Sequence, residues 1–365
     1  MQKKNRNRHT PSSGERRVLI AGGDELSPTA APSGPTAEMF VFLVISLGAS
    51  LCPAVHSADY SGAWCYHKPS CNFNTWAALV SKYCNESSQS PINIVSAQVQ
   101  ENPKLTSFSF AGFNDTSTFL NIINQGDSVV VNLDDSVMSV KGGDLPGLYN
   151  SKQFHLHWGN GSSSPGSEHR VDGKQYAMEL HIVNVHSKYN GSVSAALAAH
   201  DSSGLAVLGF FVEGTDDPNA TKSWDILTSY LTSIPYSGNA TTDIMNQISM
   251  DGLLQGVDRT KYYRYQGSLT TPTCNEVVIW TVFKEPIKVS HDLIKRFSTT
   301  VLFKDTSAFA PITNNFRGVQ PINDRVVTTQ ATQPQVAATA AGSSTSVKAC
   351  LSSLTALLLS VFYCL

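Results

Sequence analysis

The sequence lacks an excess of charge of either sign, an internal repeat and a glycine-rich phosphate loop. Its 26 Lys and Arg residues nearly balance its 28 Asp and Glu residues, which leaves a net charge of −2. Proteins that bind nucleic acid usually show a basic excess, so the charge indicates no nucleic acid partner. The missing phosphate loop removes one common sign of nucleotide binding.

Long apolar runs are scarce, and the first of them, residues 39–51, is too short to span a membrane. Val55 and Ser57 then place short side chains at cleavage positions, so we predict a secretory signal peptide over residues 39–57. Two interpretations stay open for residues 1–38: an extended basic start of that signal, or upstream sequence that is not translated.

The other end of the chain predicts a lipid anchor. Residues 326–348 are rich in Thr, Ala, Gln and Ser and contain no aromatic residue, which is typical of an unfolded linker. Residues 349–365 are apolar and uncharged, and the small residues Ala340 to Ser344 precede them. This pattern predicts a glycosylphosphatidylinositol signal whose tail is removed, with a tail-anchored single span as the alternative.

Cysteine is scarce and odd in number, with seven residues. Cys52 lies in the predicted signal peptide, and Cys350 and Cys364 lie in the predicted tail. An even set in a secreted chain implies two disulfides, although spacing alone does not give the pairing. The remaining four are Cys65, Cys71, Cys84 and Cys274.

Six Asn-x-Ser/Thr sequons fit a glycoprotein surface outside the cell. They lie at Asn85, Asn114, Asn160, Asn190, Asn219 and Asn239.

Residues 58–325 fit one large domain that is mainly β with short peripheral helices (α+β). Short alternating runs separated by turn residues predict strands, and two continuous apolar runs predict buried central strands at residues 205–213 and 277–283. Helical patterns are few. They cover residues 192–200, 222–234 and 292–298, with Ser192 and Asp292 as N-caps of the first and third.

The strand-like run at residues 153–159 (QFHLHWG) places His155 and His157 on one face, because strand side chains alternate. A second run, residues 179–183 (ELHIV), adds His181. Three neutral imidazoles with an open fourth position describe a catalytic zinc site. A His-x-His pair alone would indicate ordinary strand histidines. The third imidazole favours zinc, as do Gln153 and Glu179, each two residues before a ligand and suited to orient it.

With these residues the chain strongly resembles an α-class carbonic anhydrase, over residues 64–325. It resembles most closely the membrane-anchored, glycosylphosphatidylinositol-linked members of that family. The matching motifs are residues 89–94 (QSPINI), 153–159, 168–173 (EHRVDG), 179–183, 267–272 (GSLTTP) and 284–287 (KEPI), together with Trp280.

The resemblance implies a central, twisted, mostly antiparallel sheet of about ten strands, with zinc at the base of a conical cleft. It also implies the disulfide pairs Cys65–Cys71 and Cys84–Cys274.

Carried over position by position, the resemblance gives each site residue a role. His155, His157 and His181 match the zinc ligands. Thr270 matches the residue that accepts a hydrogen bond from zinc-bound hydroxide, and Glu168 the one that accepts from Thr270. The remaining matches are Thr271 in the same catalytic loop, Gln153, Glu179 and Asn315 as residues that orient the ligands, and Val183, Val207, Leu269 and Trp280 as the apolar wall for carbon dioxide.

The implied activity is zinc-dependent, reversible hydration of carbon dioxide to bicarbonate and a proton, at the outer cell surface. Carbon dioxide, bicarbonate and water are then the small-molecule partners, and sulfonamides or anions the expected inhibitors. The alternative is a non-catalytic cell-surface binding module on the same fold. Such relatives lack one or more zinc histidines, whereas this chain has all three. Hydrolysis of activated esters would accompany the main activity.

One departure from the family concerns the proton shuttle. Fast members carry a His after an Asn-Gln-Gly-like turn, and this chain has Asp127 there. An unperturbed Asp, with a pKa near 3.9, accepts protons poorly at neutral pH, so the sequence predicts that proton transfer limits kcat. Burial that raises the pKa of Asp127, or a shuttle role for His67, would change this expectation.

Overall fold

The computed structural model describes residues 64–79, 83–217, 222–238, 241–242, 244, 246–304 and 310–332. The predicted signal peptide, the anchor signal, and the sequons at Asn219 and Asn239 lie outside these residues. Within the described ranges, no helix has the length and apolar character needed to cross a membrane. The sequons at Asn85, Asn114, Asn160 and Asn190 all have exposed side chains, and their glycosylation stays a prediction.

The described chain is mainly β, as predicted, and most of its strands join one large sheet. In chain order the strands are β1 (Asn93–Ile94), β2 (Gln100–Asn102), β3 (Phe108–Ala111), β4 (Phe119–Asn124), β5 (Val129–Leu133), β6 (Ser139–Gly142), β7 (Tyr149–Trp158), β8 (Arg170–Val171), β9 (Lys174–Gln175), β10 (Met178–His186), β11 (Leu205–Thr215), β12 (Thr241–Thr242), β13 (Tyr262–Gly267), β14 (Val278–Ser290) and β15 (Thr328–Gln330).

The large sheet has twelve strands, ten of them in the order β12-β4-β5-β7-β10-β11-β14-β13-β15-β2. Strand β6 pairs with both β7 and β3, and β1, β8 and β9 form a separate small sheet. Pairing in the large sheet is antiparallel except between β11 and β14 and between β15 and β2. The mostly antiparallel sheet of about ten strands is therefore confirmed, with two strands added at its side.

The helices are short: α1 (Trp76–Leu79), α2 (Val193–Ala198), α3 (Lys222–Ser229), α4 (Met250–Leu253) and α5 (His291–Thr300). Ser192 caps α2 as predicted, because its side chain accepts a hydrogen bond from the Ala195 N–H. The predicted cap of α5 was wrong. Ser290 accepts from the Leu293 N–H, and Asp292 lies in the first turn, where a negative charge still complements the helix dipole.

The two continuous apolar runs form the parallel pair β11 and β14, next to β10 in the middle of the sheet. A parallel pair buried on both faces needs apolar side chains on both, which explains the unbroken pattern. One buried cluster includes Leu156, Phe210 and Phe283, and a smaller one includes Val207 and Trp280. The centre of the sheet therefore gives the histidine strands a rigid support.

Strand β15 lies inside the stretch predicted as linker. Its Thr328 and Thr329 pair with both β13 and β2, and the Thr329 hydroxyl donates to the Tyr262 carbonyl at 2.8 Å. Backbone pairing forms this strand despite its polar side chains, so the folded domain continues to residue 330 at least.

The structure forms the two disulfides that the resemblance implied, Cys65–Cys71 and Cys84–Cys274. The second joins residues 190 positions apart and connects the entry segment to the loop that follows Thr270. The indole N–H of Trp76 donates to the carbonyls of Cys65 and Cys71 at 3.3 and 3.0 Å. The small loop between them is therefore held by more than its disulfide.

We expect the double variant Cys84→Ser/Cys274→Ser to lower the free energy of unfolding by about 4 kcal/mol, because this bridge closes a long loop. The variant Cys65→Ser/Cys71→Ser is the matched control, and we expect it to lose about half as much, since closure entropy grows with loop length. Urea unfolding of both variants measures the difference. Equal losses in the two variants would contradict the loop-length argument.

Candidate active site

Three imidazoles meet where β7 and β10 pair near the middle of the sheet. His155 lies directly opposite His181 across the two strands, and His157 lies opposite Glu179. The ring centroids of the three histidines are 4.7 to 5.2 Å apart. His157 and His181 are each only 1% exposed, whereas His155 is partly exposed, so the cluster is buried on two of its three ligands and open to solvent at the third.

The outer nitrogen of each ring faces a hydrogen-bond acceptor. His155 Nδ1 is 3.1 Å from Gln153 Oε1, and His181 Nε2 is 2.7 Å from Glu179 Oε1. His157 Nδ1 is 2.7 Å from the backbone carbonyl oxygen of Asn315. A carbonyl or carboxylate oxygen can only accept, so each of these ring nitrogens carries the proton and donates it. The other nitrogen of each neutral ring therefore carries a lone pair.

These lone pairs suit a metal ion. The ligand atoms of the three histidines lie within 4.8 Å of one another, and His157 Nε2 is buried without a hydrogen-bond partner. Burial lowers the pKa of His155 well below its usual range and also lowers that of His181, which keeps both rings neutral at pH 7. Three neutral nitrogen ligands on a rigid sheet match the donor set of a catalytic zinc site.

Glu168 contributes a buried carboxylate beside the cluster. Its Oε1 accepts a hydrogen bond from the Arg317 backbone N–H at 2.8 Å. Its Oε2 has no hydrogen-bond partner and lies 3.4 Å from His157 Nε2. Two lone-pair atoms that face each other without a donor between them are unfavourable unless a cation lies nearby, which again fits a metal at this point.

The hydrogen bond expected between Thr270 and Glu168 is not formed in the described residues. Thr270 is 5% exposed and lies in the turn after β13, where the carbonyl of Thr271 accepts from the Cys274 N–H at 2.8 Å. Glu168 Oε2 instead points toward the imidazoles, where it lies 3.9 Å from His181 Nδ1. The roles of Thr270, Thr271 and Glu168 therefore stay predictions.

The four residues expected to form an apolar wall do pack in one cluster. Val183 pairs with Val207 across β10 and β11, and Val207 pairs with Trp280 across β11 and β14. Leu269 packs against the same cluster. The Trp280 ring centroid lies 4.8 Å from that of His181, so this apolar surface borders the imidazoles directly.

Sequence analysis missed the residues behind Glu179. His169 donates to this carboxylate from its backbone N–H at 2.8 Å, and its ring Nδ1 lies 2.7 Å from Glu179 Oε1. Burial alone would raise the pKa of Glu179, but the imidazoles of His169 and His181 hold it well below its usual range. Gly209 provides space for the Glu179 carboxylate, since a Cβ at this position would lie 3.1 Å from Glu179 Oε1. The only sequence sign was the position of His169 directly after Glu168.

A cavity of about 820 Å³ contains both candidate proton carriers, Asp127 and His67, in its lining, which includes none of the three imidazoles. Asn315 connects Asp127 to the imidazoles. Its side-chain amide donates to the backbone carbonyl of Asp127 at 3.0 Å, and its backbone carbonyl accepts from His157. Burial raises the pKa of the Asp127 carboxyl to about 6. His67 stacks on Phe303 at 4.2 Å, and partial burial, followed by the charge of Lys68, lowers its pKa.

Comparison with known proteins gives one consistent family. The model of the eukaryotic-type carbonic anhydrase family matches residues 71–331. Carbonic anhydrase 4 of Oryctolagus cuniculus is 38% identical over 266 residues, which cover 72% of this chain and 83% of the relative. Carbonic anhydrase 12 of Homo sapiens is 38% identical over 289 residues, 76% of each chain. Carbonic anhydrase 3 of Homo sapiens is 34% identical over 241 residues, which cover 66% of this chain and 88% of the relative.

Proposed function

Because this chain belongs to the eukaryotic-type carbonic anhydrase family, we propose that it hydrates carbon dioxide reversibly with a zinc ion held by His155, His157 and His181. The chain is a carbonic anhydrase, and its family accounts for carbon dioxide, bicarbonate and water as reactants. We further propose that zinc is its cofactor and that it acts outside the cell.

The observation that carries the zinc assignment is the convergence of three ring lone pairs. Each outer ring nitrogen donates to a fixed acceptor, and the inner ligand atoms lie within 4.8 Å of one another. Bound zinc lowers the pKa of a water ligand to about 7 and so supplies a hydroxide nucleophile at neutral pH. The chain itself has to orient that nucleophile, hold carbon dioxide and remove one proton in each turnover.

Orientation falls to Thr270 and Glu168. A carboxylate only accepts hydrogen bonds, and Glu168 Oε2 has no hydrogen-bond partner in the described structure, so we propose that it accepts the Thr270 hydroxyl proton once zinc is bound. The Thr270 oxygen is then left to accept a hydrogen bond from the nucleophile, which fixes the direction of attack. Carbon dioxide is apolar, and the surface formed by Val183, Val207 and Trp280 offers it a dry position beside the imidazoles.

Stopped-flow hydration of carbon dioxide tests the proposal directly. We expect activity in the zinc-loaded protein, loss of activity after a chelator removes the metal, and recovery when zinc is returned. A protein that binds zinc stoichiometrically without hydrating carbon dioxide would instead support the binding-module alternative.

Proton removal is assigned to Asp127. The expectation of a poor acceptor assumed an unperturbed carboxyl, whereas burial raises the pKa of this one to about 6. A carboxyl with that pKa can accept a proton at pH 7 and release it to buffer. It is protonated below pH 6 and then accepts no further proton.

We expect Asp127→Asn to lower kcat in dilute buffer by about 100-fold, the scale of losing a positioned proton-transfer group, and to leave kcat/KM nearly unchanged. In the parent enzyme kcat in dilute buffer should rise with pH through about 6, and the variant should lose this rise. High imidazole buffer should restore its kcat. His67→Ala is the matched comparison, and an unchanged kcat in Asp127→Asn with a large drop in His67→Ala would transfer the shuttle role to His67.

Attachment to the outer membrane surface through a lipid rests on the sequence of residues 340–365. We expect a phosphatidylinositol-specific phospholipase to release the activity from intact cells into the medium. Activity that stays on washed membranes, together with tail peptides found by mass spectrometry, would favour the single-span alternative.

A further inference from the structure

Strand β7 changes the face that it buries at Lys152. Before this residue the strand buries Tyr149 and Ser151, and after it the residues in the large apolar cluster are Phe154 and Leu156. These positions switch from odd to even numbers, and the two residues between them are both partly exposed. Because strand side chains alternate, the switch requires one extra residue in the strand, which is a β-bulge.

The pairing of β7 with β10 contains the same extra residue. Gln153 lies opposite Val183, and the next pair is Ser151 with Asn184, so the register passes over Lys152. The neighbour on the other side of β7 changes at the same point, since β5 pairs with the strand after the bulge and β6 pairs with it before the bulge. The bulge therefore separates the half of β7 that carries two imidazoles from the half that joins β6.

A polar pair is buried at this bulge. Asn184 and Ser151 are both 0% exposed, and the Ser151 hydroxyl donates to Asn184 Oδ1 at 2.6 Å. The Asn184 amide donates to the backbone carbonyl of Ile182 at 3.0 Å and to that of Ala206 on β11 at 2.9 Å. The Asn184 side chain therefore uses its carbonyl and both of its N–H donors, and it joins β7, β10 and β11 at one point.

Packing alone does not explain an amide at this position. The next pair on the same face of the sheet, Ile182 with Phe154, is apolar, and a buried amide is costly unless its hydrogen bonds are made. A bulge interrupts the ladder of backbone hydrogen bonds, so backbone groups beside it need other partners. The Asn184 amide supplies two of these partners, and its bond to Ser151 ties them to the strand that contains the bulge.

We propose that Asn184 is a positioning residue for the metal site. Together with Ser151 it fixes the bulge at Lys152, and the fixed bulge keeps Gln153 on the face that carries the imidazoles. A bulge displaced toward His155 would turn Gln153 to the opposite face, because a shift of one residue reverses the direction of a strand side chain. Gln153 Oε1 would then lose its position 3.1 Å from His155 Nδ1. The proposal rests on the proposed zinc site, although Asn184 itself lies on the opposite face of the sheet from the imidazoles.

Asn184→Leu tests the proposal, because it removes these hydrogen bonds with little change in side-chain volume. We expect the zinc dissociation constant, measured by competition with a chromophoric chelator, to rise about tenfold, the lower end of the loss when a group that orients a metal ligand is displaced. Ser151→Ala keeps both hydrogen bonds of the Asn184 amide, so its rise should be smaller. If Asn184→Leu fails to fold, the same measurement on Ser151→Ala decides.

Thr118→Val is the matched control. Thr118 is also 0% exposed, and its hydroxyl donates to the Asp115 carbonyl at 2.8 Å in the turn before β4. We expect this variant to lower the thermal stability of the metal-free protein and to leave zinc affinity unchanged. Zinc affinities in Asn184→Leu and Ser151→Ala equal to that of Thr118→Val would show that the buried pair is only structural, and the proposal would be wrong.

A crystal structure of metal-free Asn184→Leu, or of Ser151→Ala in its place, gives a second test that depends on neither zinc nor activity. We expect the bulge to leave Lys152 and the Gln153 side chain to turn away from His155. An unmoved bulge with Gln153 still beside His155 would overturn the proposal. A parent protein that binds no zinc would instead defeat the proposed function, while this structure would still decide the role of Asn184, so the two failures are distinguishable.

Discussion

Replacing His157 with Ala should abolish both metal binding and hydration. The nucleophile exists at pH 7 only through a bound metal, because free water has a pKa near 15.7 and zinc-bound water near 7. We therefore expect kcat/KM for carbon dioxide to fall by at least about 10⁴-fold, and zinc content, measured by mass spectrometry of digested protein, to fall far below one per chain. The variant also keeps only two imidazole ligands, which are too few to bind zinc tightly.

His291→Ala is the matched control, because His291 is exposed at the start of α5 and far in sequence from the cluster. It should retain zinc and full activity. Stoichiometric zinc and undiminished hydration in His157→Ala would remove His157 from the ligand set and would leave its buried, unpartnered Nε2 without explanation.

The second large effect should come from Thr270→Ala. We expect zinc to stay bound while kcat falls by about 100-fold, the scale of losing one aligned hydrogen bond in a transition state. Carbon dioxide hydration in stopped flow and metal analysis of the same sample separate the two quantities. Glu168→Gln should cause a loss of similar size, and the double variant should lose little more, because the two residues act as one unit.

Thr270→Ser is the conservative control, since it keeps the hydroxyl, and it should stay within a few-fold of the parent. Loss of zinc from Thr270→Ala would show that the residue is structural. A Thr270→Ser variant as slow as Thr270→Ala would show that the methyl group matters and the hydroxyl does not.

The histidine pair was predictable because its geometry is local. Strand alternation alone places His155 and His157 on one face, and it places Gln153 on that face as well. A second strand, which carries His181, lies opposite them. This position depends on pairing between residues more than twenty positions apart. Sequence pattern suggests such a pairing only when the family motifs are considered together.

Asn315 shows where sequence reasoning reaches its limit. The resemblance assigned it to orient a ligand, which stays a prediction, and the group that faces His157 is its backbone carbonyl, which any residue provides. Its side chain makes different hydrogen bonds: Oδ1 accepts from the Trp158 backbone N–H at 2.7 Å, and Nδ2 donates to the Asp127 backbone carbonyl. Residue identity here reflects the packing of three separate segments, which no local pattern encodes.

Burial and contacts between distant parts of the chain explain the other features that the sequence did not predict. The pKa of Asp127 depends on how deeply the fold encloses it, and the partner of His169 lies 96 positions away at Tyr265. The cap of α5 moved to Ser290 because β14 ends there and turns directly into the helix. Strand β15 was missed because backbone pairing, and not hydrophobic side chains, holds it in the sheet.

The position of β15 also has a consequence for biosynthesis. Gln100 in β2 pairs with Thr328, so an early strand gains its neighbour only when roughly 230 further residues have been made. At about 5–20 residues per second this takes roughly 10 to 50 s, during which the edge of β2 lacks its neighbour, and the edge of β13, which ends at Gly267, lacks it for the last roughly 60 residues of synthesis. Unpaired edges invite association with other chains. A nascent chain of this protein should therefore need chaperone protection until its last strand has emerged, and a transcript truncated before codon 328 should yield an aggregating product even though every proposed zinc ligand is present.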